Sequence, residues 1–230
     1  MEKRRFGVST RLYQRQRLGR DQLLEIAAHG FEAVELVAAG TQLDYRNPAA
    51  AADFQQWLAE AGLELPSVHV PDGEDAEAAL LVARRIPVRV LVVRATTPRE
   101  TAKAVEKLAG MAEPLQVRLA IDSTSMTPIG SLVHFVERGV DADIGICLDF
   151  AKAQATGDLV DTIETVAEHL ALARLPIDSG IDWASAMTTA QKIGYEGPLI
   201  FDAEPRGPAK ELLARGRQTR KNIERWLTST

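Results

Sequence analysis

A chain of 230 residues with a formal net charge of −5 has room for one α/β barrel or two small domains, and its acidic balance argues against nucleic acid as a partner. Hydrophobic residues make up 46% and charged residues 26% of the chain, as in ordinary globular proteins. Its one cysteine, Cys147, excludes a disulfide framework or a thiolate metal site, and no apolar run of about 18 residues is present that could cross a membrane.

Short apolar runs alternate with helical patterns along the chain. Glycine follows the end of the first predicted helix, at Gly30, and Asn47-Pro48 and Thr97-Pro98 are typical of helix starts. In chain order, the predicted strands lie at residues 6–10, 33–36, 66–70, 88–94, 117–121, 144–148, 169–173 and 198–201. The predicted helices lie at residues 21–28, 47–61, 74–83, 97–111, 127–136, 159–167, 182–193 and 209–227.

This alternation predicts a parallel sheet with helices outside it, and eight units predict a closed (β/α)8 TIM barrel. No linker or change of composition divides the chain, so we expect a single domain over residues 1–230. The charged start, residues 1–5, is not followed by a long apolar segment, so we expect no signal peptide and a cytoplasmic protein. If the protein forms a homo-oligomer, we expect the outer helices to form the interface.

Polar residues stand where the predicted strands end, and in a TIM barrel these ends surround the active site. Carboxylates that lie close together raise each other's pKa, and a divalent cation or a cationic group relieves this repulsion. Oxygen-rich clusters favour magnesium or manganese. The candidates are Thr10, Arg11, Glu35, His69, Arg94, Asp122, Asp149, Lys152, His169, Arg174, Asp202 and Glu204.

Several of these residues also have a structural interpretation, which the sequence leaves open. Asp202 is the least ambiguous, because Phe201-Asp202-Ala203 breaks an apolar run at the expected mouth. The open alternatives are a turn for Asp122, a helix cap for Asp149, an ion pair with Arg11 for Glu35, a core position for His69 and a solvated position for Lys152.

Four regions of the chain resemble the xylose isomerase-like TIM barrel superfamily. Residues 180–183, GIDW, and 193–202, IGYEGPLIFD, are similar to the superfamily's tail motif. Residues 24–36, LEIAAHGFEAVEL, resemble its first helix and second strand, and Ile146 to Asp149 with Gly157-Asp158 resemble its sixth-strand motif. Residues 169–176, HLALARLP, resemble a segment of hydroxypyruvate isomerases. The superfamily includes sugar isomerases, epimerases and endonuclease IV.

The resemblance implies a divalent metal, manganese or magnesium, held by acids at the ends of strands five, six and eight and by a histidine or glutamine on strand seven. These positions correspond to Asp122, Asp149, Asp202 and Ala171. Three of them keep a carboxylate, but alanine cannot bind a metal. Lys152 replaces the histidine expected three residues after Asp149, and its charge would compete with a metal.

Two hypotheses for the function follow. The first is a metal-assisted isomerase or epimerase of a small hydroxy-carbonyl compound, such as a sugar, sugar phosphate or sugar-derived acid, in which Asp122 and Asp202 transfer protons. The second is a metal-free descendant in which Lys152 supplies the cation and the mouth binds a small polar, polyol-like ligand or performs different chemistry. A DNA-repair nuclease fits worst, because it would need a histidine-rich zinc cluster and the chain has 4 histidines. The residues expected to bind substrate are Glu35, His69, Arg94, Lys152, His169 and Arg174.

Overall fold

The computed structural model describes residues 5–126, 128–177 and 180–227, and these residues form a closed barrel of eight parallel strands in chain order. The last strand pairs with the first, with Phe6 opposite Leu199, so the sheet has no free edge. The predicted TIM barrel is therefore confirmed. The strands are β1 (Phe6–Ser9), β2 (Ala33–Val37), β3 (Glu64–His69), β4 (Val90–Val93), β5 (Arg118–Asp122), β6 (Ile144–Asp149), β7 (Leu170–Pro176) and β8 (Leu199–Asp202).

Helices in the described residues cover the outside of this sheet. The predicted caps form: the side chain of Asn47 accepts a hydrogen bond from the backbone of Ala49, and that of Thr97 accepts one from Glu100. None of the described helices is both long and apolar enough to cross a membrane. The helices are α1 (Arg20–Ala28), α2 (Pro48–Ala61), α3 (Ala76–Leu80), α4 (Pro98–Ala112), α5 (Ile129–Arg138), α6 (Phe150–Thr156), α7 (Leu159–Thr165), α8 (Trp183–Lys192) and α9 (Ala209–Leu227).

Two apolar layers hold the barrel together. The larger layer lies between the helices and the outer face of the strands. The smaller layer fills the barrel interior, as expected for parallel strands buried on both faces. Its members are Val90, Val92, Ala120, Cys147, Ala171, Leu172 and Ile200. Polar side chains are therefore available for chemistry only above this interior layer, at the mouth.

The structure differs from the predicted elements in three places. Helix α6 was not predicted, because it begins at Phe150 directly after β6, with Asp149 as its cap. Strand β7 continues to Pro176, beyond the predicted end at residue 173. The prediction stopped before Arg174 because a charged residue is expected outside a buried strand, but Arg174 is buried. Helix α3 is shorter than predicted and is followed by a 3₁₀ turn, Leu81–Arg84. The predicted helix start at Thr127 lies outside the described residues.

A one-residue shift in register between β6 and β7 decides which side chains face the barrel interior. Ile146 pairs with Leu170, but the next residue, Cys147, pairs with Leu172, so Ala171 is an extra residue in β7. Such a bulge reverses the alternation of side chains beyond it. Arg174, two residues after Leu172, therefore points into the barrel at its mouth.

Candidate active site at the barrel mouth

A buried guanidinium lies at the centre of the mouth. Arg174 is only 2% exposed, and each of its three side-chain nitrogens faces a different carboxylate. Nη2 donates to both Glu35 oxygens at 3.0 and 3.2 Å, and Nη1 donates to Oδ2 of Asp122 at 3.1 Å. Nε lies 3.8 Å from Oδ2 of Asp202. We call Glu35, His69, Asp122, Arg174 and Asp202 the guanidinium cluster.

The charge of Arg174 is permanent. Burial alone would lower the pKa of its guanidinium, but the neighbouring carboxylates of Glu35, Asp202 and Asp122 reverse this and hold the pKa well above its usual value. Glu35, which is itself fully buried on β2, also accepts a hydrogen bond from the Ser67 hydroxyl at 3.2 Å. The mouth thus contains a fixed positive charge that is surrounded by negative ones.

Both oxygens of Asp122 have partners. Oδ1 accepts the backbone N–H of Thr124 at 2.8 Å and its hydroxyl at 2.7 Å, while Oδ2 contacts Arg174 and lies 3.5 Å from Nε2 of His69. Burial raises the pKa of Asp122, but the charge of Arg174 and the Thr124 hydroxyl outweigh it and lower the pKa. Asp122 therefore fixes the turn that follows β5 and anchors the guanidinium, as an ionised carboxylate.

His69 is a neutral imidazole at the end of β3. It is 3% exposed, and burial, followed by the charge of Arg174, lowers its pKa well below the usual 6.5. Neither ring nitrogen has a hydrogen-bond partner among the described residues, although Asp122 lies nearby. A buried imidazole with unpaired nitrogens can give or accept a proton in a hydrogen bond with a ligand.

Asp202 and Asp149 form the outer, acidic part of the mouth. Oδ1 of Asp202 lies 3.4 Å from Nε of Arg11, which makes an ion pair but no hydrogen bond. Asp149 uses Oδ1 to accept the backbone N–H of Lys152 at 2.8 Å, so it caps α6, which is the structural alternative that the sequence left open. Burial, together with the charges of Asp202 and Asp122, raises the pKa of Asp149. A carboxyl with a raised pKa keeps its proton at a higher pH than an ordinary aspartate.

Arg94, at the end of β4, lies on the rim. Its Nη1 donates to the Thr124 hydroxyl at 3.3 Å, and its Nε lies 3.1 Å from the exposed carboxylate of Asp72. Arg94 also contributes to the lowered pKa of His69. The substrate-binding role predicted for Arg94 remains a prediction, and its position beside the guanidinium cluster is compatible with it.

Three sequence-based expectations are corrected by these positions. His169 lies at the amino-terminal end of β7, where its Nε2 is 3.4 Å from Glu137 on α5, so it is at the opposite end of the barrel from the mouth. Lys152 is exposed on α6 and contacts Asp149 through its backbone N–H, so the internal cation is Arg174 instead. Ala171 belongs to the interior apolar layer, and Arg174 stands at the strand-seven corner, opposite Asp149.

Sequence analysis did not identify Ser67 and Thr124, whose hydroxyls bond to Glu35 and Asp122. Ser67 precedes His69 by two residues on β3, so the two-residue period of a strand could have placed both at the mouth. Glu35 pairs with Arg174, and Arg11 pairs with Asp202, so the alternative of an ion pair between Glu35 and Arg11, which the sequence left open, does not form.

The residues at the mouth do not fit the divalent metal that the resemblance implies. Two of the three expected ligands, Asp122 and Asp202, face nitrogens of Arg174, and a metal within bonding distance of their oxygens would lie against a permanent positive charge. Among the described residues, no three His, Cys, Asp or Glu side chains are grouped so as to hold a metal ion.

Comparisons with known proteins agree with the fold. The family model for the xylose isomerase-like TIM barrel matches residues 23–229. A D-psicose 3-epimerase from Clostridium cellulolyticum H10, solved with D-tagatose, is 14% identical with a TM-score of 0.77 and covers 96% of this chain and 98% of its own. A 3-keto-D-glucoside 4-epimerase from E. coli is 12% identical with a TM-score of 0.76, covering 95% and 100%.

An AP endonuclease of family 2 from Brucella melitensis has the same fold, with 17% identity, a TM-score of 0.71 and coverage of 92% of this chain and 97% of its own. At these identities the structural likeness shows the fold alone. No curated protein matches the chain.

Proposed function

Because this chain belongs to the xylose isomerase-like TIM barrel family, we propose that it is an isomerase or epimerase of a small hydroxy-carbonyl compound, a sugar or sugar-derived acid, and that proton transfer at the barrel mouth carries the reaction. The epimerase neighbours support the type of ligand, since their names describe sugar substrates. The net charge of −5 supports a small-molecule partner rather than nucleic acid.

One observation carries the proposal: four buried polar atoms of the guanidinium cluster have no hydrogen-bond partner among the described residues. They are Nδ1 and Nε2 of His69, Nε of Arg174 and Oδ1 of Asp202. Buried polar atoms are normally paired, and a concentration of unpaired ones at the mouth of a barrel is typical of a ligand site. Donors and acceptors both occur among them, so a ligand that carries hydroxyl and carbonyl oxygens would satisfy the set.

The proton transfers need one base and one acid on the two sides of the reacting carbons. Asp122 is a poor choice, because both its oxygens are engaged and its pKa is lowered. In our proposal Asp202, with its unpaired oxygen, removes the proton from the carbon beside the carbonyl. Asp149, whose pKa is raised, gives its proton to the carbonyl oxygen, which yields an enediol.

The isomer would form if Asp202 returned its proton to the neighbouring carbon while Asp149 took back the proton of that carbon's hydroxyl. The epimer would form if a water molecule protonated the opposite face of the original carbon, Asp149 took back its proton, and Asp202 released the proton it had removed to solvent. The positive charge of the mouth lowers the energy of the developing oxyanion. Arg11 is the best placed rim group for this role, since it lies beside Asp202 and its side chain is 29% exposed. Neutral His69 would hold a substrate hydroxyl in the correct orientation.

A binding protein without catalysis is the second candidate. The observation that favours it is that Arg174 binds Glu35 and Asp122 directly, so two carboxylates of the guanidinium cluster are occupied by a protein side chain and fewer acids are left for proton transfer. In this case the ligand would bind without losing a carbon-bound proton.

The test is hydrogen exchange in D₂O with EDTA-treated protein and a panel of ketoses, aldoses and sugar acids. The proposal predicts loss of the proton NMR signal beside the carbonyl for at least one compound, with exchange abolished in Asp202→Asn and retained in the surface variant Glu164→Gln. If no compound exchanges while one of them raises the melting temperature, the enzymatic proposal is wrong and the binding protein is supported.

A further inference from the structure

We propose that the guanidinium of Arg174 is a built-in replacement for a divalent cation, so that the native mouth rejects Mn²⁺ and Mg²⁺ and removal of the guanidinium creates a cation site. This inference goes beyond the proposed function and holds whatever the substrate is, because it concerns the charge balance of the mouth alone.

The first argument is the pairing of charges. Nη2, Nη1 and Nε of Arg174 face Glu35, Asp122 and Asp202 at 3.0, 3.1 and 3.8 Å. Three carboxylates on β2, β5 and β8 therefore converge on one planar cation. Without it, the three negative charges would face each other in a buried site, where like charges repel strongly. A cation is thus required at this point, and the chain supplies its own.

The second argument is the precision with which the backbone delivers this side chain. The extra residue at Ala171 reverses the alternation of β7, so that the residue at its mouth end, Arg174, points inward, opposite Asp149 on β6. The arginine lies above the apolar interior layer that contains Cys147 and Leu172. With 2% exposure and three counter-charges, it has no route to solvent that does not break buried ion pairs.

The third argument is that the guanidinium excludes a divalent metal from the carboxylates it binds. A divalent metal binds carboxylate oxygens at roughly 2.0–2.6 Å, and any ion at that distance from Oδ2 of Asp122 would lie beside Nη1 of Arg174, which already occupies that oxygen. The neutral ligand that the resemblance implies on strand seven is also missing, because Arg174 stands at that position. Metal and guanidinium are therefore alternatives for the same carboxylates.

Manganese binding tests the proposal without measuring activity. EDTA-treated protein is brought to equilibrium with 1 mM MnCl₂ by equilibrium dialysis, the metal bound at that concentration is counted, and the melting temperature is followed. For wild type we expect no bound Mn²⁺ and no change in melting temperature. For Arg174→Gln, in which a neutral amide replaces the guanidinium, we expect about one Mn²⁺ per chain and a rise of roughly 5–10 °C, if the site binds with a dissociation constant of about 10 μM.

Arg220→Gln is the matched control. Arg220 is also a largely buried arginine, 7% exposed, which pairs with Glu32 and Glu224 rather than with the mouth carboxylates. Its loss is expected to lower the melting temperature without any response to Mn²⁺. A response in Arg220→Gln equal to that of Arg174→Gln would overturn the proposal, because the effect would then be non-specific.

Binding of one Mn²⁺ per wild-type chain would refute the claim that Arg174 excludes a divalent cation. A folded Arg174→Gln variant that binds no Mn²⁺ would refute the claim that the guanidinium replaces such a cation. If Arg174→Gln is insoluble, the wild-type titration and Arg174→Lys carry the test. The lysine variant keeps the positive charge, so we expect it to reject Mn²⁺, and metal on either protein would refute the proposal. These metal-binding results do not depend on the hydrogen-exchange test above, so a protein that exchanges no carbon-bound proton would still be expected to give them.

Discussion

Replacing Glu35 by glutamine removes one charge from the centre of the guanidinium cluster and should destabilise the whole fold. The carboxylate is fully buried, and it accepts two hydrogen bonds from Arg174, at 3.0 and 3.2 Å, and one from Ser67 at 3.2 Å. Glutamine keeps the size of the side chain but leaves Arg174 with one charge fewer to balance it. Removal of one partner from a buried ion pair costs about 3–5 kcal/mol.

We expect the free energy of unfolding to fall by about 3 kcal/mol, near the lower limit of this range, because Asp122 and Asp202 remain beside Arg174. For a chain of this size, that corresponds to a fall in melting temperature of roughly 6–12 °C. The assay is urea denaturation followed by circular dichroism, in which the midpoint should fall while the slope m stays constant.

An exposed pair provides the control. Lys192 and Glu164 are 2.8 Å apart with side chains 71% and 42% exposed, so Glu164→Gln should change the free energy of unfolding by no more than about 1 kcal/mol. If Glu35→Gln lies within about 0.5 kcal/mol of wild type, Arg174 does not depend on its buried counter-charges and our account of the cluster is wrong.

Three further predictions address the interior and the mouth. The pKa of His69 is lowered in the folded protein, so between pH 6.5 and that folded pKa only the unfolded chain binds the extra proton. The free energy of unfolding should therefore fall as the pH drops below 6.5, by at most about 1.4 kcal/mol per pH unit. In a pH series of urea titrations, His69→Asn should make the free energy of unfolding less dependent on pH in this range. Gly145→Ala should cost about 1–3 kcal/mol in the same assay, because its Cβ would stand 2.5 Å from that of Ala171 and 3.0 Å from the His169 carbonyl oxygen; an unchanged midpoint would mean that the barrel is looser than described. Cys147 is fully buried and burial raises the pKa of its thiol, so it should react with Ellman's reagent only after unfolding, and rapid labelling of the native protein would contradict its place in the interior layer.

The fold could be predicted from the sequence because its signals are local. The run VRVLVVR gives β4, and the Asn-Pro and Thr-Pro starts give α2 and α4, since caps and buried strands each involve only a few neighbouring residues. Helix α6 was missed because it follows β6 without a loop, and its cap, Asp149, is also the last residue of the strand.

The arrangement of the site was only partly predictable. Glu35, His69, Asp122, Arg174 and Asp202 were all candidates, but which of them pair depends on distances between strands far apart in the chain. Glu35 and Arg174 are separated by 139 residues. The position of Arg174 also depends on the bulge at Ala171, for which the sequence carries no signal of the kind that glycine provides at a turn. Strict alternation from Ala171 along β7 would instead have turned Ala173 and Leu175 towards the interior and Arg174 away from it.

The most direct test of the central claim is a crystal structure of the wild-type protein soaked in MnCl₂ near neutral pH, with data collected at the manganese absorption edge. Our account predicts the guanidinium of Arg174 between Glu35, Asp122 and Asp202, with no anomalous peak among these carboxylates. An anomalous peak bound to Asp122 and Asp202, with Arg174 displaced from between them, would contradict it.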